Sequence, residues 1–86
     1  MSRRKLVYFA WVRERIGLPE ETVDLPDDIR TAAELIEWLK GRGEEYQYAF
    51  ENADVVQVAI DHEHVEQDAP LGEAGEIAFF PPMTGG

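Results

Sequence analysis

Side chains that carry chemistry are sparse in this sequence. His62 and His64 are the only histidines. With Asp61, Glu63 and Glu66 around them they supply metal-donor types, but a metal site needs three or four ligands in one geometry. A polar turn is the expectation here, with no metal bound. Asp27-Asp28 and Glu44-Glu45 are adjacent acids of the kind used in acid–base catalysis. Each pair precedes a helical pattern, where the partial positive charge of a helix start favours carboxylates without any catalytic role. Ser2 is the one serine, so no Ser-His-Asp arrangement is available. The absence of cysteine excludes disulfides, thiolate metal sites, a cysteine nucleophile and a persulfide. Gly41 and Gly43 follow a helical pattern, the wrong side for a phosphate-binding loop.

What remains is the carboxyl end, "IAFFPPMTGG". Phe79-Phe80 close a strand-like run. Pro81-Pro82 lack amide hydrogens and fix φ, so a sheet must stop there and the chain leave it stiff and extended. Met83-Thr84-Gly85-Gly86 then project. Six residues from Pro81 reach at most ~20 Å at ~3.3–3.6 Å each. Two glycines carry no side chains, so the carboxylate of Gly86 can thread a channel too narrow for other residues. The group this arrangement presents is the terminal carboxylate.

The rest of the chain must position that end. "KLVYFAWV" (5–12) is a continuous apolar run, read as a buried central strand. "RERIG" reads as a short helical turn or loop stopped by Gly17 and Pro19. "EETVDLP" (20–26) alternates, with Val23 and Leu25 on one side, and suits a half-exposed strand antiparallel to the first. Thr31 and Glu34 form a capping box, and Ala32, Leu35, Ile36 and Leu39 make one apolar stripe, so the main helix starts at Thr31 and ends at Gly41 or Gly43. Tyr46, Ala49 and Phe50 share a helical spacing and suggest a second short turn. "VVQVAID" (55–61) is a strand, Val65 falls in a short edge strand, Leu71 plugs the core, and "EIAFF" (76–80) is the last strand. For one helix to cover them, all strands share a sheet. The first and last runs are the most apolar and should be adjacent, central and parallel. The fold class is α+β: a mixed sheet packed on one main helix, a single β-grasp domain over 1–86 with a flexible tail at 81–86.

The chain has 86 residues, enough for one core. Its formal charge is −10, from 18 acidic and 8 basic residues. A field of that sign repels phosphate backbones and argues against nucleic acid as a partner. Tyr8, Phe9, Trp11 and Trp38 are therefore expected in the core or in protein contacts rather than stacked on bases. No stretch approaches the ~20 apolar residues of a membrane span, and no signal peptide is evident, so the expected location is the cytoplasm.

The segments "FFPPMTGG" and "VYFAWVRERIG" resemble the MoaD family, the ubiquitin-like small subunits of molybdopterin synthase. Met83 stands where valine is common. The resemblance spans essentially the whole chain and implies a sulfur carrier, a non-catalytic donor subunit. It implies that an E1-like enzyme of MoeB type uses ATP to adenylate Gly86, and that a sulfur donor protein converts the adenylate to a thiocarboxylate. A large subunit of MoaE type, assembled with the carrier as a heterotetramer, supplies the active site. There the sulfur passes to cyclic pyranopterin monophosphate, building the dithiolene. The chain itself would bind no cofactor. Carried over from the matching motifs, Met83, Thr84 and Gly85 thread the partner's channel. Phe9, Phe79, Pro81 and Pro82 form the docking surface, with Arg13 near its rim. Carriers for thiamine or tRNA thiolation are expected to keep Gly-Gly but not Phe-Phe-Pro-Pro. A ubiquitin-like protein modifier and a plain interaction domain are the remaining alternatives.

Overall fold

A computed structural model describes residues 2–82. The expectations placed on Met83, Thr84, Gly85 and Gly86 lie outside the described residues. The chain runs β1 (Ser2–Tyr8), α1 (Ala10–Ile16), β2 (Glu20–Leu25), α2 (Ala32–Lys40), α3 (Glu44–Ala49), a 3₁₀ turn (Ala53–Val55), β3 (Gln57–Ile60), β4 (Glu63–Val65) and β5 (Glu76–Phe80). The strands form one mixed sheet in the order β2-β1-β5-β3-β4. β1 and β5 are parallel neighbours, with Leu6 opposite Ile77 and Tyr8 opposite Phe79. β2 pairs antiparallel with β1, and β3 antiparallel with both β5 and β4. This is the β-grasp arrangement expected from the sequence.

Three boundaries differ from expectation. β1 begins at Ser2 rather than Lys5, because Ser2, Arg3 and Arg4 pair with Leu25, Asp24 and Val23 of β2. The apolar run does not continue as a strand to Val12. It breaks at Ala10, which takes φ +51°, a left-handed turn that lifts the chain out of the sheet. Trp11 and Val12 then belong to α1, where Val12 and Ile16 are buried one helical turn apart. An unbroken apolar run is consistent with either period, and here both occur in succession. β3 likewise begins at Gln57 rather than Val55, because Val55 and Val56 donate to Asn52 and Ala53 carbonyls and close a 3₁₀ turn.

α2 is as read. Thr31 Oγ1 accepts from the Glu34 amide (3.1 Å), and Glu34 Oε1 accepts from the Thr31 amide (3.1 Å). Ala32, Leu35, Ile36 and Leu39 are its buried stripe. They meet Leu6, Tyr8, Val23, Leu25, Val58, Ile77 and Phe79 from the sheet in one core, with Leu71 seated in it. Tyr8 stacks on Phe79 at 5.9 Å, and Phe50, beyond α3, meets Phe79 edge-on at 5.5 Å.

One polar cluster closes the end of this core beside α3. Glu21 accepts from the hydroxyls of Tyr8 (2.7 Å) and Tyr46 (2.6 Å) and from Arg42 Nη1 (3.1 Å). Burial alone raises the Glu21 pKa, but the hydrogen bonds from Tyr46 and Tyr8 and the Arg42 charge outweigh it and hold the carboxyl below its ordinary value. Burial, reinforced by Glu21, pushes the Tyr46 phenol up to about 12 and the Tyr8 phenol further still. The cluster ties β1, β2, α3 and the loop between α2 and α3 into one unit.

Candidate functional site

The end of β5 is where the tail leaves the sheet, and strand alternation divides it between two faces. Ile77 and Phe79 point into the core, both fully buried. Glu76, Ala78 and Phe80 point the other way, onto a face that no helix covers. Phe79 is therefore corrected. It is 0 % exposed, a core anchor stacked on Tyr8 and edge-on to Phe50, and not a residue of the docking surface.

Register defines the uncovered face. One row crosses all five strands as Glu20, Val7, Ala78, Ala59 and His64. Its middle three residues are apolar. On the tail side of that row stand Phe80 and, opposite it, Gln57. The His64 ring lies 5.7 Å from that of Phe80, and His64 Nε2 meets Gln57 Oε1 at 2.9 Å. The other end of the same face is charged. Lys5 Nζ lies 3.2 Å from Glu20 and 4.0 Å from Glu76, and Arg3 lies 3.7 Å from Asp24. The face is thus apolar where the chain departs and ion-paired where it does not.

Phe9 extends the apolar half. Its amide donates to the Phe79 carbonyl (3.0 Å), one bond beyond the β1–β5 ladder, and the residue is 46 % exposed. Arg13 follows one turn later on α1 and is exposed; its amide donates to the Phe9 carbonyl (3.3 Å). Pro81 is half-buried and Pro82 exposed. The structure therefore places Phe9 beside the Phe79 backbone, with Arg13 one helical turn beyond it, and Pro81 directly after the end of β5.

The sequence reading did not place Val7, Ala59, His64, Ala78 or Phe80 on this face. Alternation from a buried Phe79 points to Phe80. Nothing local points to Ala59 or His64, which reach the face only through the pairing of β3 and β4.

The polar residues considered for catalysis are dispersed. His62 faces Glu76 at 3.5 Å, while His64 lies against Gln57 and Phe80. His62 and Asp61 both take positive φ in the two-residue turn between β3 and β4, the backbone a tight hairpin requires. Asp61 is further engaged, accepting from the Gly75 and Glu76 amides (3.1 and 3.0 Å). Glu44 and Glu45 occupy the first turn of α3. Among the described residues, no three His, Asp or Glu side chains gather as a metal site, and no helix is long and apolar enough to cross a membrane.

Residues 6–86 match the ThiS family. The chain belongs to that family. Within reach of this ThiS-family chain are the molybdopterin synthase sulfur carrier subunits of Haemophilus influenzae and Escherichia coli. The first is 36 % identical over 81 residues, covering 94 % of this chain and 96 % of the relative. The second is 32 % identical over 82 residues, covering 95 % and 98 %. A solved Pyrococcus furiosus protein, provisionally described as molybdopterin converting factor subunit 1, superposes with a TM-score of 0.73 at 27 % identity, covering 96 % of this chain and all of that one. A small archaeal modifier protein from Haloferax volcanii superposes with a TM-score of 0.71 at 23 % identity, over 99 % of this chain and 100 % of its own; this likeness shows the ubiquitin-like fold alone.

Proposed function

We propose that this chain is the sulfur carrier subunit of molybdopterin synthase, holding sulfur as a thiocarboxylate on Gly86. The observation that carries the reading is the near full-length similarity to two proteins of that name, at 36 % and 32 % identity. The geometry of the described residues is in keeping with it. They supply an apolar patch at the root of the tail and no cluster of acid, base and nucleophile, so the chemistry falls to the last carboxylate and to partners.

In this reading the Gly86 carboxylate attacks the α-phosphorus of ATP on an E1-like activating enzyme, and pyrophosphate leaves. The terminal sulfur of a persulfide on a donor protein then attacks the acyl-adenylate carbonyl and AMP leaves; a second thiol of the donor protein attacks the inner sulfur of the resulting acyl disulfide, releasing the thiocarboxylate and leaving a disulfide on the donor. The large subunit receives the charged carrier on the face formed by Val7, Phe9, Ala59, Ala78, Phe80 and Pro81, with Arg13 and Pro82 at its margin. Met83, Thr84 and Gly85 lead the thiocarboxylate to cyclic pyranopterin monophosphate, and two sulfurs delivered in turn complete the dithiolene. The chain holds no cofactor or metal of its own and works in the cytoplasm.

Reconstitution tests this. The chain is incubated with an E1-like enzyme, ATP and a sulfur source, and its intact mass is measured. Replacement of one oxygen by sulfur is expected, and conversion of the pyranopterin precursor only when a large subunit is added. Unchanged mass under conditions that charge a known carrier overturns the reading. Adducts on lysines of other proteins without precursor conversion point to a modifier instead.

A further inference from the structure

Helix α2 buries one stripe and leaves a second one open. Next to the buried positions, Ala33, Glu34, Glu37 and Trp38 line a groove together with Asp28 and Ile29 from the preceding loop. Its volume is about 500 Å³. Ile29, Ala33 and Trp38 give it an apolar floor, and Ile29 and Trp38 also pack against the core. The rim consists of the carboxylates of Asp28, Glu34 and Glu37, and among the described residues no basic side chain lines the groove.

The rim charges remain available to a partner. Glu34 uses one oxygen, Oε1, to accept from the Arg30 and Thr31 amides (2.8 and 3.1 Å), and those bonds, the Arg30 amide first, hold its carboxyl ionised by lowering its pKa. Glu37 meets Lys40 at 3.4 Å in an exposed pair of the kind that contributes little and exchanges readily. Trp38 already accepts one cation, the Arg42 guanidinium 5.4 Å from its ring. Because α2 covers the inner face of the sheet, the groove opens on the helical side of the molecule. The root of the tail lies on the other side.

We propose that this groove is a second docking site, for a protein segment that presents an apolar side chain flanked by arginine or lysine. The apolar residue covers Ile29, Ala33 and Trp38 while the cations meet Asp28, Glu34 and Glu37. The formal charge of −10 draws such a segment in, and the apolar floor selects among basic segments. This goes beyond the sulfur-carrier reading and does not depend on it, since the tail takes no part. Its consequence is that a second partner holds the chain while the uncovered sheet face is occupied.

The test uses the full chain, isotopically labelled for NMR, titrated at physiological salt with a capped heptapeptide of leucines set between arginines. A control peptide of equal charge has glycine in place of leucine. The amide signals of Ala33 and Glu37 and the Trp38 indole N–H shift with the first peptide and not with the control. Ala33→Arg fills the floor and adds a like charge while keeping a good helix former, and it weakens binding by about tenfold. Removing Gly85 and Gly86 leaves the affinity unchanged, so failure of the carrier reading is read separately. Equal shifts from the glycine control, shifts centred on Val7, His64 and Phe80, parental affinity in Ala33→Arg, or no shift at millimolar peptide each overturn the proposal.

Discussion

Phe79 and Phe80 are consecutive and chemically identical, yet they belong to different regions of the molecule. Phe79 is fully buried between Tyr8, Phe50 and the apolar stripe of α2. Phe80 lies half-exposed on the uncovered face, against His64. The inner face holds the strand in place; the outer face is free to meet something else. The difference teaches that one strand performs both tasks by its pleat, and that the tail's root is rigid because its inward residues are anchored. The two regions also differ in how they handle charge. Inside, Glu21 is held by three donors at the edge of the core. Outside, Lys5 pairs with the exposed Glu20 and the half-buried Glu76 at the end away from the tail.

The largest test of the contrast is truncation on each face. Phe79→Ala loses about 3–5 kcal/mol of stability through lost burial and a cavity. Phe80→Ala loses under about 1 kcal/mol, as for a partly exposed ring. Urea denaturation of both variants measures this, and equal losses break the comparison. Phe80→Asp places a charge in the apolar patch; it folds normally but costs about 2 kcal/mol or more in affinity for the large subunit, read by calorimetry. If that affinity is unchanged, the uncovered face is not the docking surface.

The Glu21 cluster gives a slightly smaller and pH-dependent effect. Glu21→Ala leaves the Tyr8 and Tyr46 hydroxyls without their acceptor and costs about 1–3 kcal/mol. Because the Glu21 pKa is lowered in the fold, its contribution is present above the ordinary glutamate range and is lost as pH falls through the lowered value. Tyr46 acts at the other end of the scale. Its phenol is raised to about 12, so its contribution is present below the ordinary tyrosine pKa and fades as pH rises from ~10 towards that value. Thermal melts of the parent chain and Glu21→Ala across pH show the parent losing its advantage at both ends. A constant difference across pH removes Glu21 as the source.

The smallest effect sits at the junction between strand and helix. Ala10 takes φ +51°, which costs a residue with a Cβ roughly 1 kcal/mol relative to glycine. Ala10→Gly is expected to stabilise by up to about 1 kcal/mol, less the extra freedom glycine gives the unfolded chain. A lowered denaturation midpoint would mean that the turn after β1 is not strained.

Local pattern went a long way in this chain. The capping box and stripe of α2 were legible because each is set by residues three or four apart. The alternation of Val23 and Leu25 showed which side of β2 is buried. Leu71 stood out as an apolar residue in a polar stretch, and it is buried. The end of β1 was not legible, since the run from Leu6 to Val12 is apolar at both the strand and the helix period, and the break depends on one backbone angle at Ala10. The docking role given to Phe79 failed for a related reason. Two adjacent phenylalanines share a motif, and composition does not say which one faces the core.

The sequence by itself determined the fold class, the order of the strands around the main helix, the parallel adjacency of the first and last strands and the lack of any cysteine chemistry. Each follows from short-range pattern or from the absence of residue types. Only the tertiary structure decided that Phe80 rather than Phe79 lines the uncovered face, that Ala59 and His64 join it, and that Glu21 gathers Tyr8, Tyr46 and Arg42. Those groupings come from residues far apart in the chain, and strand register and helix packing, which no local signal encodes, bring them together.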